Sequence, residues 1–324
     1  MKTANLLIHE SQFPENVRSD LLASLRSRAV NHKFHYDSVK QTHKWLALHQ
    51  QFSPARYDKN CRAIYDQSFR AVAAELKSKN LYLIGLGCGG GQKDTRLLKL
   101  LKDAGKNIFY TPSDVSAAMV LTARRTALKV LPEKNCFLFV CDLATAKNIG
   151  DAFSSRLMPH ASRLLTFFGM IPNFEPHDIL PKLAALVRPG DTLLFSANLA
   201  PGNDYALGVK KILPQYDNPL TRDWLMTFLT DLGVEPSDGQ LRFEIETRNG
   251  LKRIVANFYF RRARTISVEN ETFYFTKGQK IRLFFSYRYT PSLIAKILAR
   301  YKLAVAGQWI ARSEEEAVFL CHRK

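Results

Sequence analysis

Between residues 80 and 200 the chain alternates short apolar runs with amphipathic stretches. LYLIGLGCGGG is an apolar strand running into glycines, and residues 93–104 have the spacing of the helix it opens. IFYTPSDVS is a second strand ending at Asp114, followed by a helical stretch over 116–129. NCFLFVCDLA is a third strand, ending at Asp142, and SRLLTFFGMIPNF a fourth, ending near Asn173. Residues 177–187 are helical and DTLLFSANLA is a fifth strand. Strands in regular alternation with helices predict a parallel sheet covered by helices on both faces. Upstream, residues 17–30 and 61–79 place apolar groups at helical spacing. Past Pro201 the rhythm breaks. A helix is expected over 220–232, and RFEIETR, RIVANFYFRRARTISV and TFYFTKG within 241–286 predict an antiparallel sheet. Residues 291–301 are helical, and the tail LAVAGQWIARSEEEAVFLCHRK has the form of a terminal hairpin.

Composition narrows the class. With 324 residues, 46% hydrophobic and 23% charged, the chain suits one large domain or two intertwined ones and excludes general disorder. Lys plus Arg is 47 against 29 Asp plus Glu, a net +18, which brings nucleic acid, a membrane surface or an anionic substrate into consideration. No apolar run is long enough to span a bilayer, so no membrane partner is expected. The start carries His9, Glu10 and Glu15 and has no signal-peptide core. The five cysteines are odd in number and scattered without a CxxC pair, which argues against a disulfide framework and for a cytoplasmic location. The eight histidines lack metal-ligand spacing, so no metal is expected.

The glycine cluster is the strongest chemical signal. A strand that ends in glycines before a helix lets a ligand approach the backbone at a helix N-terminus. Gly85-Leu86-Gly87-Cys88-Gly89-Gly90 satisfies GxGxxG, the dinucleotide fingerprint. Gly87-Cys88-Gly89-Gly90-Gly91 satisfies GxGxG, as in S-adenosylmethionine-dependent methyltransferases. Asp114, ending the second strand, suits ribose hydroxyls in either cofactor class, and Asp142, ending the third, suits an adenine amino group. Each would otherwise be an ordinary helix cap or turn residue.

The chain resembles the histidine-specific N-methyltransferases of ergothioneine biosynthesis and their amino-acid-methylating relatives. LIGLGCGGGQKDTRLLKLL is similar to that family's cofactor loop, YTPSDVSAAM to its second-strand motif, FFGMIPNFEP to its fourth-strand segment and RPGDTLLFSANL to the following helix–strand turn. KFHYD and FSPAR resemble two N-terminal motifs. The resemblance implies an α/β, class I Rossmann-like methyltransferase domain (61–200 and 287–324) with a second, mixed α+β substrate-binding domain (1–60 and 201–286). It further implies that the C-terminal stretch returns to complete the first sheet. By position, Gly87, Gly89, Lys93, Asp114 and Asp142 would bind S-adenosylmethionine. Asn173 would hold and aim the substrate amine, and Tyr216 and Tyr36 would position the amine or carboxylate.

Four departures from the family pattern matter. Gly85 stands where the cofactor strand usually has an acidic residue. The loop from Gly169 to Asn173 is one residue shorter. At FSPAR a family tyrosine is replaced by Phe52 or Ser53. In LFFSYRYTP, Phe284 and Ser286 stand where histidine-specific members carry a Glu and a Ser for the imidazole. Losing that carboxylate leaves a buried imidazole N–H unpaired, at a cost of about 1–3 kcal/mol. The expected activity is therefore N-methylation of an amino acid or related small amine other than histidine. Two alternatives remain at this stage. One is an NAD-dependent oxidoreductase. The other is a nucleic-acid methyltransferase using residues 248–302, where 13 Lys and Arg face only Glu269 and Glu271, a local +11, with Phe258, Tyr259 and Phe260 as stacking platforms.

Overall fold

Apolar runs become strands and amphipathic stretches become helices in the order β1 (Leu6–Ile8), α1 (Pro14–Ser27), α2 (Val39–Phe52), α3 (Pro54–Tyr57), α4 (Lys59–Glu75), β2 (Asn80–Leu86), α5 (Gln92–Asp103), β3 (Asn107–Asp114), α6 (Ala117–Ala127), β4 (Leu138–Val140), α7 (Ile149–Ser154) and β5 (Ser162–Phe168). The chain continues with α8 (Pro176–Leu186), β6 (Thr192–Asn198), α9 (Tyr205–Tyr216), α10 (Pro219–Asp231), β7 (Gly239–Arg248), β8 (Leu251–Phe260), β9 (Arg264–Val268), β10 (Glu271–Phe275), β11 (Lys280–Tyr287), α11 (Pro291–Ala299), β12 (Leu303–Ile310) and β13 (Glu316–Arg323). The computed structural model describes residues 3–154 and 161–324. Two units divide the chain: residues 1–12, 54–199 and 289–324 form the first, and residues 13–53 and 200–288 the second.

The first unit is built on an eight-stranded sheet in the order β1-β4-β3-β2-β5-β6-β13-β12. Six neighbouring strands, β1 through β6, run parallel, whereas β13 pairs antiparallel with both β6 and β12. Every residue of β2 from Leu81 to Leu86 is buried, as a strand covered on both faces requires. Tyr65 and Phe69 of α4 and Leu97, Leu98 and Leu101 of α5 join Leu81, Leu83 and Tyr110 in one core cluster. Each such fully buried side chain contributes about 1.5–3 kcal/mol. Caps set the helix starts: Ser116 accepts from the Met119 N–H at 3.3 Å to open α6, and Thr290 accepts from the Leu293 N–H at 3.2 Å to open α11, with Pro291 in its first turn.

The second unit combines α1, α2, α9 and α10 with a three-stranded antiparallel sheet, β11-β8-β7, and a β9–β10 hairpin. The β7–β8 turn is Asn249-Gly250, with φ of 51° and 76°, the backbone that an Asn-Gly hairpin turn adopts. One sheet face supplies Leu241, Ala256, Phe258, Ile281 and Leu283 to a core shared with Leu25 of α1 and Trp224, Leu225 and Phe228 of α10. The β8–β11 register shifts between Arg282 and Phe284. Such a bulge re-aims the residues beside it.

Two sequence expectations change. The second domain was expected to contain residues 1–60. Residues 1–12 and 54–60 belong to the first unit instead, because Leu6–Ile8 extends the parallel sheet along β4 and α3 leads directly into α4. The proposed stacking platforms also fail. Phe258 and Phe260 are 1% and 2% exposed and lie in the second unit's core, since alternation along β8 turns them both inward and leaves Tyr259 on the other face. The basic stretch is divided as well: its residues up to Arg288 lie in the second unit, whereas Lys296, Arg300 and Lys302 lie in the first.

Candidate functional site

In the first unit the chain runs from β2 outward through β3 and β4, then returns to the other side of β2 with β5. That reversal makes the carboxyl ends of β2 and β5 the crevice where open α/β sheets bind ligands. The glycine loop leaves β2 at this point. Gly87 has φ +64°, a left-handed backbone that favours glycine, and a Cβ there would stand 2.3 Å from Met170 Sδ, so the glycine lets the Met170 side chain of the loop after β5 lie against it. Gly91 caps α5 in the left-handed conformation, leaving the helix N-terminus open towards the loop.

Asp114, at the end of β3, accepts from the Gly89 N–H at 2.9 Å and from the Ser116 N–H at 3.1 Å. Burial pushes its pKa up to about 6, against the opposing effect of those two donors. Asp142 follows β4 and is 4% exposed. Its Oδ1 accepts from the Ala144 N–H at 2.9 Å, and its own N–H donates to Ser11 Oγ at 3.0 Å. The Cys141 N–H donates to the Asp114 carbonyl at 3.0 Å, so the two carboxylates sit on adjacent strand ends. Gly87, Gly89, Asp114 and Asp142 are thus gathered along one edge of the sheet. Asn173, half-buried, ends a short 3-10 turn after β5, with its N–H on the Met170 carbonyl at 3.0 Å.

Lys93 is engaged differently from the expectation. Its ammonium donates to Tyr65 Oη at 2.5 Å and to Glu316 Oε1 at 3.2 Å. Glu316 also accepts from the Tyr65 hydroxyl and, at 3.2 Å, from the Cys61 thiol. Burial alone would raise the Glu316 pKa. The Lys93 charge and the Tyr65 and Cys61 donors outweigh it, and the carboxyl is held below its ordinary value. Tyr65, Cys61 and Glu316 were not foreseen, because the partners lie on α4 and β13 and nothing in their local sequence marks them.

In the second unit the Tyr216 hydroxyl donates to Ser286 Oγ at 2.7 Å, and Arg288 Nη2 donates to Tyr216 Oη at 2.9 Å. Phe284 lies 6.3 Å from the Tyr216 ring, 5.6 Å from Trp224 and 4.9 Å from His32. The Tyr36 ring reaches the same cluster, 5.5 Å from Trp224. Tyr36, Tyr216, Phe284 and Ser286 therefore come together, with Trp224, His32 and Arg288 added. His35, fully buried, donates from Nε2 to the Leu283 carbonyl at 2.7 Å, a tautomer assigned from that acceptor, and its carbonyl accepts from Trp224 Nε1 at 2.7 Å. Burial lowers its pKa to about 4, and burial with nearby His35, Arg282 and Arg253 lowers that of His32. Both rings are neutral at pH 7. His32 and Trp224 could have been suspected only from the aromatic density around KFHYD and TRDWL.

Residues 17–323 match the family described as histidine-specific methyltransferase, SAM-dependent. A curated relative, the N-methyltransferase imqF of Aspergillus flavus, is 27% identical over 238 residues, covering 70% of this chain, and the chain spans only 63% of that relative's length. Among solved structures, an S-adenosylmethionine-dependent methyltransferase from Clostridium acetobutylicum matches at TM-score 0.45 and 13% identity, over 87% of this chain and 98% of that one. Magnesium protoporphyrin IX methyltransferase from Synechocystis, with S-adenosylhomocysteine bound, matches at TM-score 0.45 and 16% identity, over 90% and 97%.

Proposed function

The chain belongs to the histidine-specific, S-adenosylmethionine-dependent methyltransferase family, and on that premise we propose that it methylates the nitrogen of an aromatic or apolar amino acid or related small amine. The residues of the first unit fit the cofactor. A loop whose glycines admit close backbone approach is followed by two buried carboxylates, Asp114 and Asp142, held by backbone N–H donors and of the chemistry that would accept from the cofactor's ribose hydroxyls and adenine amino group. When bound, S-adenosylmethionine supplies a methyl group already activated on a sulfonium. The protein's own contribution is orientation and the exclusion of water. Lys93 binds through what its ion pair with Glu316 leaves accessible, its side chain being 22% exposed.

Asn173 accepts a hydrogen bond from the acceptor nitrogen and aims its lone pair. Tyr216, held between Ser286 and Arg288, and Tyr36 position the amine or carboxylate. The proton of the amine leaves to water.

The observation that carries the choice of acceptor is the surroundings of Phe284: Trp224, Tyr216 and the neutral ring of His32. No carboxylate stands at position 284 to pair with an imidazole N–H, whereas an aromatic or apolar side chain gains by burial there. The test is methyl transfer from labelled S-adenosylmethionine to a panel of the amino acids and their amines. Label on aromatic or apolar members supports the proposal, and histidine as preferred acceptor sinks it. A nucleic-acid acceptor is less well supported. Phe258 and Phe260 are core residues, Arg253 pairs with Glu246 at 3.0 Å, and Arg264 pairs with Asp238 at 2.6 Å.

A further inference from the structure

The resemblance implies an acid at position 85 of the cofactor strand, and this chain has glycine there. The space is nevertheless filled by a carboxylate. An ideal Cβ on Gly85 would stand 2.3 Å from Oδ2 of Asp94 and 3.2 Å from the Tyr110 hydroxyl. Asp94 lies in the first turn of α5, and a helical side chain leans back towards the helix N-terminus, here over the end of β2. Its side chain cannot coexist with one at position 85, so Gly85 is the condition for Asp94 and not merely the loss of an acid.

The Asp94 carboxylate is 3% exposed and bound on both sides. The Tyr110 hydroxyl of β3 donates to Oδ2 at 2.7 Å, and the Thr166 hydroxyl of β5 donates to Oδ1 at 2.8 Å. Thr166 is the register partner of Gly85 across β2 and β5. The carboxylate therefore stands against Gly85 of β2, between β3 and β5, where the sheet reverses its order. Both partners are neutral hydroxyls, and neighbouring Lys93, whose charge acts on Asp94, makes its direct ion pair with Glu316 instead, so among the described residues no cation touches the Asp94 carboxylate. A buried charge left in that condition is costly unless a cation shares the site. S-adenosylmethionine carries two cationic groups, its sulfonium and its ammonium.

We propose that Asp94 is the acidic positioning residue of the cofactor site, supplying from the helix the negative charge that a strand residue at 85 would supply. The inference rests on the reading that the first unit binds S-adenosylmethionine. Moving the carboxylate back to the strand tests it. S-adenosylmethionine binding is measured by calorimetry, without acceptor, for the wild type, Asp94→Asn, Asp94→Ala and the double variant Gly85→Asp/Asp94→Ala, with the thermal midpoint of each unliganded protein. Asp94→Asn keeps the shape of the side chain and should bind about tenfold more weakly with a midpoint close to wild type. The double variant should recover to within about threefold of wild type, a rescue that a purely structural role of Asp94 does not give. Wild-type affinity in Asp94→Asn overturns the proposal, and so does a folded double variant that binds no more tightly than Asp94→Ala. If the wild type itself does not bind, the cofactor reading fails first.

Discussion

Binding of S-adenosylhomocysteine should weaken at least tenfold between about pH 7.5 and about pH 5, about tenfold of it through Asp114. Gly89 and Ser116 donate to its carboxylate, yet burial dominates and holds the pKa at about 6. At about pH 7.5 nearly every molecule is ionised, and at about pH 5 roughly one in ten is. Ribose hydroxyls donate to the ionised form, so affinity follows that fraction, and a tenfold loss is about 1.4 kcal/mol. Ligand binding therefore releases protons below pH 6. In the unliganded protein the sign is opposite. The folded pKa lies above the model-peptide value of 3.8, so this group's stabilising contribution is complete below that pH and is lost as the pH rises to about 6. The loss is about 3 kcal/mol, and Asp94, also raised to about 6 by burial, adds in the same direction. Calorimetry in two buffers of different ionisation enthalpy reads both affinity and proton number. The ligand's own groups titrate outside this window. Asp114→Asn should flatten the profile, leaving only the share of Asp94. An affinity constant within twofold over the whole range, or proton uptake on binding, refutes the reasoning.

Two further substitutions separate binding from chemistry and from stability. Asn173→Ala should lower turnover about 100-fold while S-adenosylhomocysteine affinity stays within about twofold, read by steady-state kinetics and calorimetry; equal loss of both removes Asn173 from the acceptor. Glu316→Ala leaves Lys93 and the Tyr65 and Cys61 donors without their carboxylate. It should lower the unfolding free energy by about 3 kcal/mol in urea titration, and a loss below about 1 kcal/mol would mean that the pair is solvated as a surface bridge is.

What was legible in the sequence follows from where the constraint lies. β2, β5 and β6 were readable because burial on both faces forces near-continuous apolar runs, and so were the positions of Asp114 and Asp142 at strand ends, each closing a strand-like run. β1 was missed: three residues carry no periodicity, and Leu6–Ile8 is a strand only because β4 pairs with it. α9 was missed because Gly208 and Pro214 interrupt its pattern, although a Cβ at Gly208 would stand 2.4 Å from the Pro201 carbonyl oxygen, so close packing accounts for that glycine. Phe258 and Phe260 were misread because the density of cations beside them in sequence says nothing about which face of β8 they occupy. Asp94 stood unremarked within the cofactor motif, since only the fold shows that its carboxylate occupies the place of a side chain at 85.

The pairing of Lys93 with Glu316 has a topological reason. Lys93 lies in the first turn of α5, at the carboxyl end of β2, where the parallel strands β1 to β6 also end. A further parallel strand would bring its last residue to that edge. β13 runs antiparallel to β6, and Glu316, its first residue, pairs with Asn198, the last residue of β6. Reversal of this one strand delivers a carboxylate from the chain's end to the glycine-loop helix, 223 residues away in sequence. Tyr65 of α4 joins the same carboxylate, so three distant segments are fixed by one buried group. A buried ion pair of this kind adds little net stability over apolar packing, but it strongly penalises any arrangement that leaves one charge alone. Its effect is to fix the start of α5, and with it the glycine loop, against the C-terminal hairpin.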